Sequence, residues 1–133
     1  MKDLIHALSH ELIVDVFVSG YIDSASPARF HPMYERLFFV FEKCTFELFV
    51  SDSGWIDVRA LGDIEVWFDM DEDDAFSLMS VYNQFFKTEQ DVVVVSVSSP
   101  SGPFETLTIK YREGLAERDV CLNPNHFFGF SFL

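Results

Sequence analysis

The chain has 133 residues, 49% of them hydrophobic and 17% aromatic, which suffices for one domain with a real core and excludes global disorder. Nine Lys and Arg against 22 Asp and Glu leave a net charge of −13, beyond the magnitude of about 2–8 that suits a small soluble domain. Such an excess repels phosphate backbones and anionic lipid surfaces, so neither nucleic acid nor a membrane is expected as a partner. No apolar run approaches the roughly 18 residues of a transmembrane helix. The opening MKDLIHALSHEL lacks the basic, apolar and small-residue segments of a secretory signal, and a cytoplasmic protein is expected.

In chain order, Leu4, Ile5, Ala7, Leu8 and Leu12 recur at helical spacing and predict a short amphipathic helix over residues 2–11. The run LIVDVFV (12–18) is β-branched and aromatic, so a strand is favoured over continued helix. Residues 19–33 hold two prolines and several small residues and read as a connection. From 35 to 69 four runs alternate apolar and polar: Leu37, Phe39, Phe41; Cys44, Phe46, Leu48, Val50; Ile56, Val58, Ala60; and Ile64, Val66, Phe68. This pattern predicts a four-stranded antiparallel meander, with turns at Glu42-Lys43, Ser51–Gly54 and Leu61–Asp63.

Next, Ala75, Leu78, Met79, Tyr82, Phe85 and Phe86 recur at three- and four-residue steps. They predict a helix from Asp71 to Lys87, with Asp71 as N-cap and Glu72, Asp73 and Asp74 facing the positive end of its dipole. VVVVSVS after Asp91 and the alternating run Phe104–Arg112 predict a hairpin across a Pro- and Ser-rich loop. Residues 114–119 read as a charged connection, 120–122 as a short strand, and 123–125 as a turn. The tail HFFGFSFL is too aromatic to be frayed and is expected to dock as a last short strand or extended segment. The fold expected is α+β, a single domain over 1–133. Its antiparallel sheet has about five to seven strands, one main packed helix and a short N-terminal helix.

No chemistry announces itself. Asp69, Asp71 and Asp73 stand at the D-x-D-x-D spacing of a calcium loop, but Asp74 replaces the required glycine and Ser80 the bidentate glutamate. Helix capping and a solvated acidic surface explain the run without a metal. His6 and His10 lie one turn apart, yet Ala7 stands where a metalloprotease has glutamate. There is no nucleophile elbow and no phosphate-cradling glycine pattern, and Cys44 and Cys121 are expected to be reduced thiols. Neither a cofactor, a metal nor an enzymatic activity is expected.

What remains is the second face of the meander. If the apolar parity faces the core, Glu47, Phe49, Trp55, Asp57, Arg59, Glu65, Trp67 and Asp69 face the other way. Asp71 and Asp73 extend the same negative region, and between residues 60 and 86 there are seven acids and no Lys or Arg. Aromatic anchors among carboxylates suit contact with a basic protein. Alternatively, the N-terminal helix or the aromatic tail covers this face and the tryptophans are structural.

The succession of a strand meander with alternating aromatics, DEDDAF, a hairpin and a closing LNPNHFFGF resembles the small acidic immunity proteins of bacterial contact-dependent inhibition and related polymorphic toxin systems. The resemblance covers most of 35–133 in pattern and implies a cytoplasmic inhibitor of one cognate toxin domain, often a nuclease. Contact residues vary from pair to pair in such proteins, so the resemblance transfers none; the shared parity of the meander's second face and its acidic extension point to contact through Glu47, Trp55, Asp57, Glu65, Trp67, Asp69, Asp71 and Asp73. The other expectation is a non-enzymatic adaptor that binds a different protein.

Overall fold

A computed structural model describes residues 1–99, 105–124 and 129–132. Helix α1 (Lys2–His10) leads into β1 (Asp15–Ile22), β2 (Phe30–Val40), β3 (Thr45–Val50), β4 (Ile56–Leu61) and β5 (Ala75–Ser80). A single helical turn, α2 (Tyr82–Phe86), is followed by β6 (Val93–Ser98), β7 (Leu107–Glu113), β8 (Ala116–Asn123) and β9 (Ser131–Phe132). The strands form two antiparallel sheets, ordered β4-β3-β2-β1-β5 and β6-β7-β8-β9.

The expected α+β architecture with a main packed helix is therefore corrected to a mostly β fold with two short helices. Residues 75–80 are the decisive difference. Ala75, Leu78 and Met79 fit a helical stripe, but β1 offers AFSLMS a full ladder from Phe17↔Ser80 to Ile22↔Ala75. Phe76, outside the helical stripe, joins the same sheet face as Tyr21, while Ser77 and Ser80 are indifferent helix formers. Helix begins only after Val81, whose amide donates to the Val16 carbonyl (2.7 Å). Asp71 caps no helix; its carbonyl accepts the Asp74 amide in a turn (3.0 Å).

Other boundaries move for related reasons. The connection expected over 19–33 shrinks to 23–29, because β1 runs through Gly20 to Ile22 and pairs with Phe30–Met33. A Cβ on Gly20 would lie 2.1 Å from the His31 carbonyl oxygen, so only glycine permits that close approach. Of the four strands expected over 35–69 three form, in β2, β3 and β4, and Ile64–Phe68 form none; the fourth strand of the meander is β1. The charged stretch 114–119 is mostly strand β8, which turns from β7 at Gly114 with positive φ. The hairpin β6-β7 and the short terminal strand β9 form as expected. Residues 100–104, 125–128 and 133, including most of the proline loop, part of the aromatic tail and His126, lie outside the described residues.

One core joins the sheets. Val16, Val18, Leu37, Phe39, Phe46, Leu48 and Ile56 from the first sheet share a cluster with Leu107, Ile109, Tyr111, Val120 and Leu122 from the second. Leu4, Ala7 and Leu8 close it from α1. The turn α2 acts as the bolt: Phe85 meets Phe39 edge-on at 5.4 Å and Phe132 at 5.2 Å, while Phe86 meets Tyr111 at 4.9 Å. The Tyr111 hydroxyl donates to the Phe86 carbonyl (2.6 Å), satisfying an orphan acceptor at the helix end, and Lys87 stops the helix in the left-handed region.

Candidate functional site

The first sheet has its core on one face only. Because β4 and β5 are its opposite edges, residues 62–74 must travel from one edge to the other. Four strand spacings of about 4.8 Å make that crossing roughly 19 Å, within easy reach of such a segment. The route is over the outer face. There the Trp67 Nε1–H donates to the buried Ser19 hydroxyl (2.8 Å), and Phe68 packs near Tyr21 (6.3 Å) and Phe76 (6.1 Å). Phe38 is fully buried on this side and belongs to no part of the main core. The cover expected from α1 or from the aromatic tail is thus supplied by the acidic stretch itself.

Under this cover lies a charged cluster set by strand register. Glu47 stands directly opposite Arg59 on β4 and opposite Phe38 on β2, with Arg36 one diagonal step away. Its side chain is 5% exposed. The Arg36 Nη1 donates to both Glu47 oxygens (3.2 Å each), and Arg59 donates to Oε1 through Nε (3.2 Å) and in a very short contact through Nη2. The hydrogen bond to Glu47 is the main cause that raises the Arg59 pKa further above its already high value. Arg36 also lies over the Trp67 ring (4.4 Å) and over the Phe49 ring (5.7 Å), and Arg59 lies over Phe49 at 5.2 Å. A cavity of about 230 Å³ opens here, floored by Arg36, Glu47 and Arg59 and walled by Leu61, Val66 and Trp67, with Asp63 and Glu65 also lining it.

The structure thus divides the expected contact residues into two groups. Glu47 is buried and neutralised, so its carboxylate is structural. Trp67 is half-buried, with its polar edge already bonded, and only part of the ring reaches the cavity. Asp57, Glu65, Asp69, Asp71 and Asp73 are exposed, and Trp55, 44% exposed, stands just before β4. Sequence reasoning placed Arg59 on this face but missed Arg36 and Ser19 as partners of Glu47 and Trp67. Pairing β2 with β3 through the Glu42-Lys43 turn, and β3 with β4, would have brought both arginines to Glu47.

Elsewhere, Asp23 accepts the amides of Ala25 and Arg29 (3.1 Å each) and binds His31 Nε2 (2.7 Å), which stacks on Tyr21 at 4.7 Å. The His31 hydrogen bond, ahead of the backbone amides, holds the Asp23 carboxyl below the usual range. Burial, ahead of Glu11, pushes the Cys44 thiol up, away from the reactive thiolate. His6 and His10 stack at 4.3 Å, with His10 Nδ1 held at the His6 carbonyl (2.9 Å). Among the described residues no group of three His, Cys, Asp or Glu side chains converges as a metal site requires, and no helix is long and apolar enough to cross a membrane. No family model, curated protein or solved structure matches this chain.

Proposed function

We propose that this protein binds and blocks a basic protein domain, as an immunity protein neutralises its cognate toxin in the cytoplasm of the producing cell. The observation that carries this reading is the crossing segment 62–74. Its apolar residues Trp67 and Phe68 turn towards the sheet, while Asp63, Glu65, Asp69, Asp71, Glu72 and Asp73 remain exposed with no Lys or Arg among them. Tied down at Trp67, the segment holds these acids without the ordering cost of a free loop. Asp57, beside it on β4, adds to the same field, and Trp55 offers an exposed aromatic anchor. Such a surface steers a positively charged partner at long range and repels its competitor, nucleic acid. A nuclease domain, basic because it must hold phosphates, is the toxin class this charge suits. The protein acts by occlusion and not by catalysis.

The test is to co-express the chain with the toxin domain encoded beside it and score survival, then repeat with Asp57→Lys and Glu65→Lys. Protection by the wild type, weakened by the reversals while the fold persists, supports the reading. Absence of both protection and binding sinks it and puts the adaptor expectation in front.

A further inference from the structure

The cavity beside Trp67 has a size and a lining that name an occupant. At about 230 Å³ it falls short of the roughly 300–1,000 Å³ of small-molecule sites. It equals the share of about seven or eight waters, the scale of one long side chain. Charge narrows the choice. The guanidiniums of Arg36 and Arg59 are both committed to Glu47, whereas Asp63 and Glu65 form no ion pair among the described residues. An anion would therefore meet two uncompensated carboxylates. A cation would be drawn in by them. The remaining wall is apolar, with Val66 45% exposed and the Trp67 indole beside it, so the occupant carries a hydrocarbon stem behind its charge.

We infer that this cavity receives one arginine or lysine side chain of the basic protein that docks on the acidic face, its head near Asp63 and Glu65 and its stem against Trp67 and Val66. The inference rests on the docking reading above and adds the anchor point. It also gives Glu47 a role: by holding Arg36 and Arg59 back on the floor, it keeps two cations from filling or repelling at the site.

The experiment titrates the full chain with N-butylguanidinium, N-butylammonium and, as the anionic counterpart, butyrate, following the two indole N–H resonances by NMR. The Trp67 resonance is assigned by its loss in Trp67→Phe, and Trp55, outside the cavity, is the internal control. Either cation should shift Trp67 saturably and leave Trp55 unmoved, and butyrate should not. Asp63→Asn with Glu65→Gln should weaken cation binding about fivefold, the factor expected of two partly exposed charge pairs, with an unchanged unfolding profile. Saturable binding of butyrate in place of the cations, or no saturable shift by any probe, overturns the inference. No toxin domain enters the titration, so its result is separate from the survival test. A dead cavity with intact protection refutes the anchor alone, and a cation-binding cavity without any protection refutes the docking reading alone.

Discussion

On its inner face the first sheet presents Val16, Leu37, Phe39 and Leu48 to a core shared with the second sheet; on its outer face the same strands present Ser19, Arg36, Glu47 and Phe49 to a single crossing segment. The inner face is held by apolar burial, which is non-directional and tolerates no water. The outer face is held by a few directional bonds: Trp67 to Ser19, and two arginines to one buried carboxylate. Such a thin polar cover leaves its solvent side free to carry charge. On the proposed reading, stability and recognition lie on opposite faces of one sheet, and substitutions should separate them.

The largest effect belongs to the inner face. Phe39→Ala, which removes a fully buried ring and its contact with Phe85, should lower unfolding free energy by about 3–5 kcal/mol, measurable by chemical denaturation. Glu47→Gln comes next. It strips the charge that compensates Arg36 and Arg59, and because both can still reach water the loss should be about 1–3 kcal/mol. A neutral result in denaturation would mean the cluster adds nothing to the cover. Trp67→Phe keeps most of the ring but strands the Ser19 hydroxyl in a buried place, which should cost about 1 kcal/mol and raise amide exchange in 62–74 more than in β7.

The two faces should also fail at opposite ends of the pH scale. Burial raises the phenols of Tyr82 and Tyr111 on the inner side. Folding therefore favours their neutral form, and that contribution is complete below the usual phenol value of about 10 and is lost as pH rises beyond it. Asp23, whose folded value is depressed by His31, behaves inversely. Its contribution is present above the usual carboxylate value of about 4 and is lost as pH falls through the lower folded value. Asp23→Asn should therefore lower stability at neutral pH while leaving it unchanged in acid, which flattens the acid limb of a stability profile, and Tyr111→Phe should flatten the alkaline limb. This is the smallest of the expected effects, since Asp23 is only partly buried and water screens its charge.

The same contrast explains what was legible in the sequence. Period-two alternation assigned the inner and outer residues of β2, β3 and β4 correctly, since a strand buried on one face has to alternate. It misled at Ile64, Val66 and Phe68, which form no ladder: Val66 is 45% exposed, while the consecutive Trp67 and Phe68 both turn to the sheet. Residues 75–80 do not alternate, and what makes them a strand is β1, some 60 positions earlier in the chain, a pairing that local pattern does not encode. Glu47 looked like a surface acid because its polar parity was read without its cover. Once 62–74 crosses the sheet, the same parity buries it. The acidic exposure of 63–73 was legible from composition alone, though its support, a crossing segment instead of a helix start, was not.

The central claim is that the exposed acids of this crossing segment, and not the buried cluster beneath them, recruit a basic partner. The direct measurement is the association rate constant with the basic domain proposed as its partner at low and high salt, for the wild type and for a variant carrying Asp63→Asn, Glu65→Gln, Asp69→Asn and Asp71→Asn. The account predicts an unchanged unfolding midpoint, a low-salt rate constant lowered by about tenfold or more, and a flattened salt dependence, because steering is what raises such rates above about 10⁵–10⁶ M⁻¹s⁻¹. An association rate and salt slope equal to those of the wild type would contradict it.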